Sequence, residues 1–124
     1  MASRREEQQE DVRLRVMRLI AGNPEMSTRQ VAHEVGISNG SAYYVLSALV
    51  EKVFVKLGNF KINPRKGQFA YLLTPEGLRE KSLLTHRFIK RKCQEYAYLR
   101  AEIELLEREA GLLETSGSKG HDQL

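Results

Sequence analysis

Helix caps and a helix break between residues 27 and 38 constrain this chain more than any other feature. Ser27 precedes Gln30 by three residues, the spacing of a capping box, in which each side chain binds the other residue's backbone N–H group. Gly36 can take the left-handed conformation that ends a helix, and Ser38 can cap the next helix. The sequence therefore predicts two short helices separated by a tight turn.

The second of these helices has two contrasting faces. Its aliphatic residues recur at helical spacing, and Val53 continues the stripe that is formed by Ala42, Val45, Leu46 and Leu49. The opposite face carries small, hydroxylated or aromatic residues, which are Gly40, Ser41, Tyr43, Tyr44 and Ser47. We expect the aliphatic face to be buried and the other face to be free for a partner.

A β-hairpin is predicted directly after these helices. Residues 55–60 and 69–73 are rich in β-branched, aromatic and aliphatic side chains, and the basic segment between them, residues 62–67 (INPRKG), favours a turn. Two helices and a tight turn followed by such a hairpin form a winged helix-turn-helix. The predicted fold is mainly α with one small β-hairpin.

An amphipathic helix is predicted before this region, and its apolar residues are Val12, Val16, Leu19 and Ile20. Gly22-Asn23-Pro24 ends it, because the residue before a proline disfavours helix. Residues 1–10 are polar and charged, and we expect them to fray.

A long helix is predicted after the hairpin. Thr74, Pro75 and Glu76 supply a hydroxyl cap, a proline at the first helical position and an acid in the first turn, and no breaker occurs from Leu78 to Ala110. Apolar residues then alternate at steps of three and four, which is a heptad seam typical of coiled coils. The residues expected to mediate dimerisation are Phe88, Ile89, Tyr96, Leu99, Ile103, Leu106, Ala110 and Leu113.

Such a stripe must be covered, and a second copy of the chain is the simplest cover. The alternative is that the helix folds back on its own domain. The spacing is compatible with parallel and with antiparallel pairing. The predicted organisation is a winged helix-turn-helix over residues 1–74, a dimerisation helix over residues 75–114 and a disordered tail over residues 115–124.

Charge is distributed unevenly along the chain. Residues 55–92 contain ten basic residues and two acidic ones, whereas residues 93–114 contain six acidic residues and two basic ones. A basic middle segment favours an anionic partner at one place on the molecule.

The sequence also predicts where the protein is found. There is no apolar run long enough to span a bilayer, and the charged N-terminus does not resemble a signal peptide. With a single cysteine, Cys93, these features predict a cytoplasmic protein without a membrane partner.

The predicted partner is double-stranded DNA. The free face of the second short helix is small enough to enter the major groove, and Asn39 at its N-terminus can pair with adenine. The helix starts at Ser27 and Ser38 offer N–H groups to phosphate. The residues expected to contact DNA are Thr28, Arg29, Ser38, Asn39, Gly40, Ser41, Tyr43, Tyr44 and Ser47, with Lys61, Arg65 and Lys66 of the wing.

Structural roles are the alternatives for several of these residues. The two tyrosines can pack at a rim, Asn39 can be a turn residue, and Arg65 and Lys66 can keep an edge hairpin soluble. The helix has no Arg or Lys between Ser38 and Glu51, so the common arginine contact with guanine is absent there. We therefore expect A·T-rich sites.

Enzymatic function is not expected. His33, His86 and His121 are far apart in the sequence and lie beside no paired carboxylate or metal-ligand spacing. His86 and Cys93 can share a helix face, but two ligands are too few for zinc. Cys93 is expected to pack near the seam, with a thiol switch as the alternative. No phosphate-binding glycine loop or nucleophile motif is present, and no cofactor or metal is predicted.

Several motifs resemble those of MarR-like winged-helix regulators, especially the short subgroup associated with exopolysaccharide gene clusters. The resemblance rests on residues 38–49, 55–61 and above all 71–78 (YLLTPEGL), followed by Lys81 and by residues 95–103, and it covers about three quarters of the chain. It implies a homodimeric bacterial transcriptional regulator in the nucleoid, with polysaccharide biosynthesis genes as its expected targets. Larger MarR-like proteins have further helices that build a ligand pocket, so a small-molecule effector is not expected here.

The function predicted from the sequence is sequence-specific regulation of transcription by a DNA-binding homodimer. The alternative is a winged-helix module that docks a partner protein through its long helix.

Overall fold

A computed structural model of the chain describes residues 3–59 and 69–113, without the side chains of residues 59, 69, 112 and 113. The element order confirms the predicted fold class. The elements are α1 (Arg4–Gly22), α2 (Thr28–Val35), α3 (Asn39–Glu51), β1 (Val55–Asn59), β2 (Phe69–Leu73) and α4 (Pro75–Leu113). They form two compact units, one ending at Arg87 and the other beginning at Phe88.

Helix α1 begins much earlier than the sequence analysis expected. Ser3 caps it, since its hydroxyl accepts from the Glu6 N–H group at 3.1 Å while the Glu6 carboxylate accepts from the Ser3 N–H group at 3.0 Å. This capping box satisfies backbone donors that otherwise lack partners. The prediction that residues 1–10 fray is therefore wrong for residues 4–10, which are helical.

Aliphatic side chains from all three helices of the helix-turn-helix region form the core of the first unit. The buried residues include Leu14, Val16, Met17 and Ile20 of α1, Val31, Ala32 and Val35 of α2, and Ala42, Leu46 and Leu49 of α3. The predicted aliphatic stripe of α3 is thus confirmed as far as Leu49. Gly36 ends α2 with φ of 85°, and Ser38 caps α3, as their residue types predicted.

Val53 departs from the predicted stripe. Helix α3 ends at Glu51, and Val53 takes a left-handed backbone conformation with φ of 66°, which leaves its side chain 59% exposed. This conformation is strained for a β-branched residue. It turns the chain so that the Phe54 N–H group donates to the Leu49 carbonyl oxygen at 2.9 Å.

The start of α4 is fixed on this turn. The Thr74 hydroxyl donates to the Val53 carbonyl oxygen at 2.6 Å and accepts from the Gly77 N–H group at 2.9 Å. The Thr74 N–H group donates to the Phe54 carbonyl oxygen at 3.0 Å. Thr74 is buried, as is Leu84 farther along α4. The first unit therefore extends to Arg87, beyond the boundary predicted after Thr74.

The hairpin is antiparallel, and its register pairs Val55 with Leu73 and Leu57 with Tyr71. The loop between α1 and α2 supports its second strand, because the Tyr71 N–H group donates to the Pro24 carbonyl oxygen at 2.9 Å. The hairpin is thus attached to the helix-turn-helix region at its base.

The second unit is the remainder of α4, from Phe88 onward. Charged side chains interact along its surface. Lys92 Nζ lies 3.2 Å from Glu95 Oε1 and 5.2 Å from the centre of the Phe88 ring. Arg100 Nε lies 3.4 Å from Glu104 Oε2. None of the described helices combines the length and apolarity that a membrane span requires.

Candidate nucleic-acid interface

The N-terminus of α3 is rigidly capped. The Ser38 hydroxyl accepts from the Ser41 N–H group at 3.0 Å and donates to the Ser41 hydroxyl at 3.0 Å. The N–H groups of Asn39 and Gly40, which precede Ser41, point out of the helix end as in any α-helix. Such groups at a helix N-terminus are chemically suited to an anion, and they lie beside the free face of α3.

The free face of α3 is open to solvent along the whole helix. Tyr43 is 67% exposed and Tyr44 is 74% exposed, so neither tyrosine is a core residue. The other residues predicted for this face are exposed as well, and they are Asn39, Gly40, Ser41 and Ser47. Because Ala42, Leu46 and Leu49 are buried on the opposite face, the exposed side chains of α3 project from a helix that is anchored in the core.

Among the residues that the structure describes, none requires a glycine at position 40 for steric reasons. A Cβ at this position would meet only the Ser38 hydroxyl oxygen, at 4.0 Å. Because no side chain projects from the helix at Gly40, a large partner can approach the backbone of α3 there.

At the start of α2, one side chain is held by a hydrogen bond and another is exposed. The capping box of Ser27 and Gln30 is present, with distances of 2.8 and 3.1 Å. The Thr28 hydroxyl lies 3.0 Å from the Tyr71 hydroxyl and shares a hydrogen bond with it, whereas Arg29 is exposed. Sequence reasoning missed Tyr71 as the residue that positions Thr28, because only tertiary structure brings the two together.

The predicted wing contacts Lys61, Arg65 and Lys66 lie outside the described residues. On the side of α3 that faces α1, the structure adds an open groove of about 790 Å³. Arg5, Arg13 and Lys52 line its rim together with Tyr44. Arg5 was missed because residues 1–10 were expected to fray, although the Ser3–Glu6 spacing signals a capping box. Arg13 lies in a helix that the sequence predicted, but only the placement of α1 beside α3 brings it to this groove.

The predicted dimerisation residues are brought onto one exposed helix. Ile89, Tyr96, Leu99, Ile103 and Leu106 are between 46% and 64% exposed. Ala110 is exposed, Phe88 is half-buried, and the side chain of Leu113 is outside the described residues. Cys93 is exposed too, and among the residues described no three His, Cys, Asp or Glu side chains are grouped as metal ligands.

Comparison with known proteins agrees with this geometry. Residues 9–52, which include most of α1 and all of α2 and α3, match a family model described as winged helix-turn-helix DNA-binding. No curated protein sequence matches the chain. The protein therefore carries a winged helix-turn-helix.

Solved structures of regulators share the fold of this chain. PcaV from Streptomyces coelicolor, in complex with its natural ligand, is 23% identical with a TM-score of 0.56, covering 79% of this chain and 72% of PcaV. A MarR/EmrR family regulator from Acinetobacter sp. ADP1 is 16% identical with a TM-score of 0.57, covering 84% and 75%. A MepR mutant from S. aureus bound to an oligodeoxyribonucleotide is 10% identical with a TM-score of 0.57, covering 86% and 88%. The chain thus has a MarR-like fold.

Proposed function

We propose that this protein is a sequence-specific regulator of transcription that binds double-stranded DNA as a homodimer. The observation that carries the proposal is the free face of α3, where polar and aromatic side chains are exposed over a buried aliphatic anchor. A MepR mutant of the same fold is bound to an oligodeoxyribonucleotide, which supports the same class of partner here.

Helix α3 is proposed to lie in the major groove. Asn39 and the hydroxyls of Ser41 and Ser47 offer donors and acceptors to base edges, and Tyr43 and Tyr44 add aromatic surface for thymine methyl groups. With no Arg or Lys between Ser38 and Glu51, discrimination would favour A·T pairs.

Phosphate contacts are proposed to hold this helix in place. The N-terminus of α3 at Ser38 and the exposed Arg29 beside Thr28 offer N–H groups and a guanidinium on the side of the reading helix. Lys61, Arg65 and Lys66 of the wing segment are proposed to contact the backbone or the minor groove.

Dimerisation is proposed to occur through the exposed seam of α4. It would join two copies of the helix-turn-helix unit, each called a reading head. A two-fold dimer fits a palindromic operator, and two linked heads bind such a site more tightly than one. By resemblance, the regulated genes are proposed to be exopolysaccharide biosynthesis genes, with the protein acting on the nucleoid in a bacterial cytoplasm.

Two tyrosines provide a matched test of the reading face. Genomic fragments that the purified protein selects define the site, and fluorescence anisotropy then measures affinity for that duplex. Tyr44→Ala is expected to weaken binding by about 1–3 kcal/mol. Tyr98→Ala removes a tyrosine that is equally exposed, 77%, on α4 away from the seam, and is expected to leave affinity unchanged.

Binding to duplex DNA should also fall steeply with salt, because phosphate contacts release counterions. Equal affinity of the two tyrosine variants, or the absence of salt-sensitive binding to any duplex, would contradict the proposed reading face.

A further inference from the structure

None of the residues that the structure describes covers the apolar stripe of the second unit. Ile89, Tyr96, Leu99, Ile103 and Leu106 are all at least 46% exposed along a single helix. We propose that the cover is the same stripe of a second copy running in the antiparallel direction. This inference rests on the homodimer proposed above and adds the orientation of its helices.

Lys92 is the residue that distinguishes the two orientations. It occupies a seam position between Ile89 and Tyr96, and a seam residue of a parallel, in-register pair meets its own copy. Parallel pairing would place two Lys92 ammonium groups at the interface, where like charges repel. Antiparallel pairing places each Lys92 opposite an apolar residue instead.

The charges at the two ends of the unit favour the same orientation. Lys90, Arg91 and Lys92 are consecutive cations near its start, whereas Glu102, Glu104, Glu107 and Glu109 lie toward its end. Parallel pairing sets like charges side by side at both ends. Antiparallel pairing sets the cationic end of one helix beside the anionic end of the other. Because the apolar residues are the same in both orientations, the charges decide between them.

Seam spacing gives the register of the antiparallel pair. In an antiparallel coiled coil, an a position of one helix packs opposite a d position of the other. If the two-fold axis lies between Tyr96 and Leu99, the numbers of each pair of facing residues add to 195. These pairs are Tyr96 with Leu99, Lys92 with Ile103 and Ile89 with Leu106. Lys92 then lies near Glu102 of the second copy.

One like-charge approach occurs in this register, between Glu95 and Glu102 of the second copy. Lys92 Nζ already lies 3.2 Å from Glu95 Oε1 within its own helix, and it therefore offsets this repulsion.

Disulfide trapping tests the orientation directly. The background is Cys93→Ser, which removes the single cysteine of the sequence. Adding Ile89→Cys and Leu106→Cys together places two thiol pairs face to face in the antiparallel dimer, and mild oxidation is expected to yield a covalent dimer. Either substitution alone should give none, since the two copies of each residue are then about 25 Å apart along the axis, too far for a disulfide.

The matched control is Ile89→Cys with Ala101→Cys in the same background, because residue 101 lies on the opposite face of the helix from the seam. It is expected to stay monomeric on a non-reducing gel. Covalent dimers from either single variant would show parallel pairing and overturn the proposal. Failure of the double variant to cross-link, in a protein that light scattering shows to be dimeric, would overturn it as well.

If the chain does not form a homodimer at all, the experiment gives a different result. Light scattering of the Cys93→Ser protein would then report a monomer at all concentrations, which overturns both the pairing and the dimer of the proposed function. The tyrosine comparison on α3 measures DNA recognition separately from either outcome.

Discussion

Gly40 lies on the free face of α3, at a point where the protein itself leaves room for a side chain. A glycine within a helix lowers stability relative to alanine by roughly 0.5–1 kcal/mol. Packing against the described residues gives no compensation at this position. Under the proposed function, close approach of DNA to the helix backbone would account for the glycine.

Gly40→Ala is therefore expected to separate stability from function. Thermal unfolding should show a free energy of unfolding that is unchanged or higher by up to about 1 kcal/mol. Affinity for the selected duplex should fall by about tenfold or more, which corresponds to about 1.4 kcal/mol, because the methyl group holds the helix away from the groove. An alanine variant that binds as tightly as the original chain would show that Gly40 is not at the interface.

Gly77 is constrained in the opposite way. Its position in the first turn of α4 is pressed against the Phe54 carbonyl group, and an added Cβ would overlap with the Phe54 carbonyl oxygen. The neighbouring atoms are backbone, held by the bonds of Thr74 to Val53 and Phe54, so they cannot yield cheaply.

Gly77→Ala is expected to lower the free energy of unfolding by about 2 kcal/mol, as overpacked sites do. Gly22→Ala is the control, since a Cβ there meets no atom of the described residues within 4 Å, and it should be neutral or stabilising. Chemical denaturation of the two variants provides the comparison. Equal stabilities would mean that α4 does not start against Phe54 as described.

Helix α1 shows how a short-range signal can stabilise a segment whose composition suggests disorder. Its first two turns are rich in charge and bury little, yet Ser3 and Glu6 form a reciprocal cap. Farther along, Glu10 Oε2 lies 2.9 Å from Arg87 Nη1 of α4. The cap and the ion pair together explain why the helix extends to Arg4.

Ser3→Ala is expected to fray the first turn of α1 and to lower stability by about 0.5–1 kcal/mol. Hydrogen exchange of the amides of residues 4–7 should accelerate, while the amides of α2 and α3 keep their protection. Glu6→Gln retains a side-chain acceptor for the Ser3 N–H group and should behave like the original chain. Equal exchange in both variants would argue against the capping box.

The elements that could be predicted from the sequence are those specified by neighbouring residues. The bounds of α2 and α3 follow from the capping box of Ser27 and Gln30, the glycine at residue 36 and the cap at Ser38. Each of these signals acts within a few residues, so it could be recognised in the sequence. The strained turn at Val53 and the inclusion of Leu84 in the core depend on contacts between distant segments. No local pattern encodes those contacts, so the extension of the first unit to Arg87 could not be predicted from the sequence.

The exposed face of α3 could also be predicted from neighbouring residues. Helical periodicity was enough to assign Tyr43, Tyr44 and Ser47 to an exposed surface, because burial of the aliphatic stripe fixes the rotation of α3. The bond between Thr28 and Tyr71 joins residues far apart in sequence and could not be anticipated.

For the whole molecule, function is proposed to depend on two reading heads joined through the second unit. Ile103→Asp introduces an unpaired charge into the proposed interface, and we expect it to weaken self-association by about 3 kcal/mol, or more than a hundredfold. Ala101→Asp places the same residue on the opposite helix face and is expected to remain dimeric. Analytical ultracentrifugation of both variants measures this difference.

DNA binding should follow the loss of the dimer. The Ile103→Asp variant is expected to bind a full palindromic site at least about a hundredfold more weakly than Ala101→Asp does, because its two half-sites are no longer occupied by linked heads. Its affinity for an isolated half-site should match that of the control, since α3 and its core lie in the first unit. A monomeric Ile103→Asp variant that retained full affinity for the palindrome would show that each chain reads DNA independently.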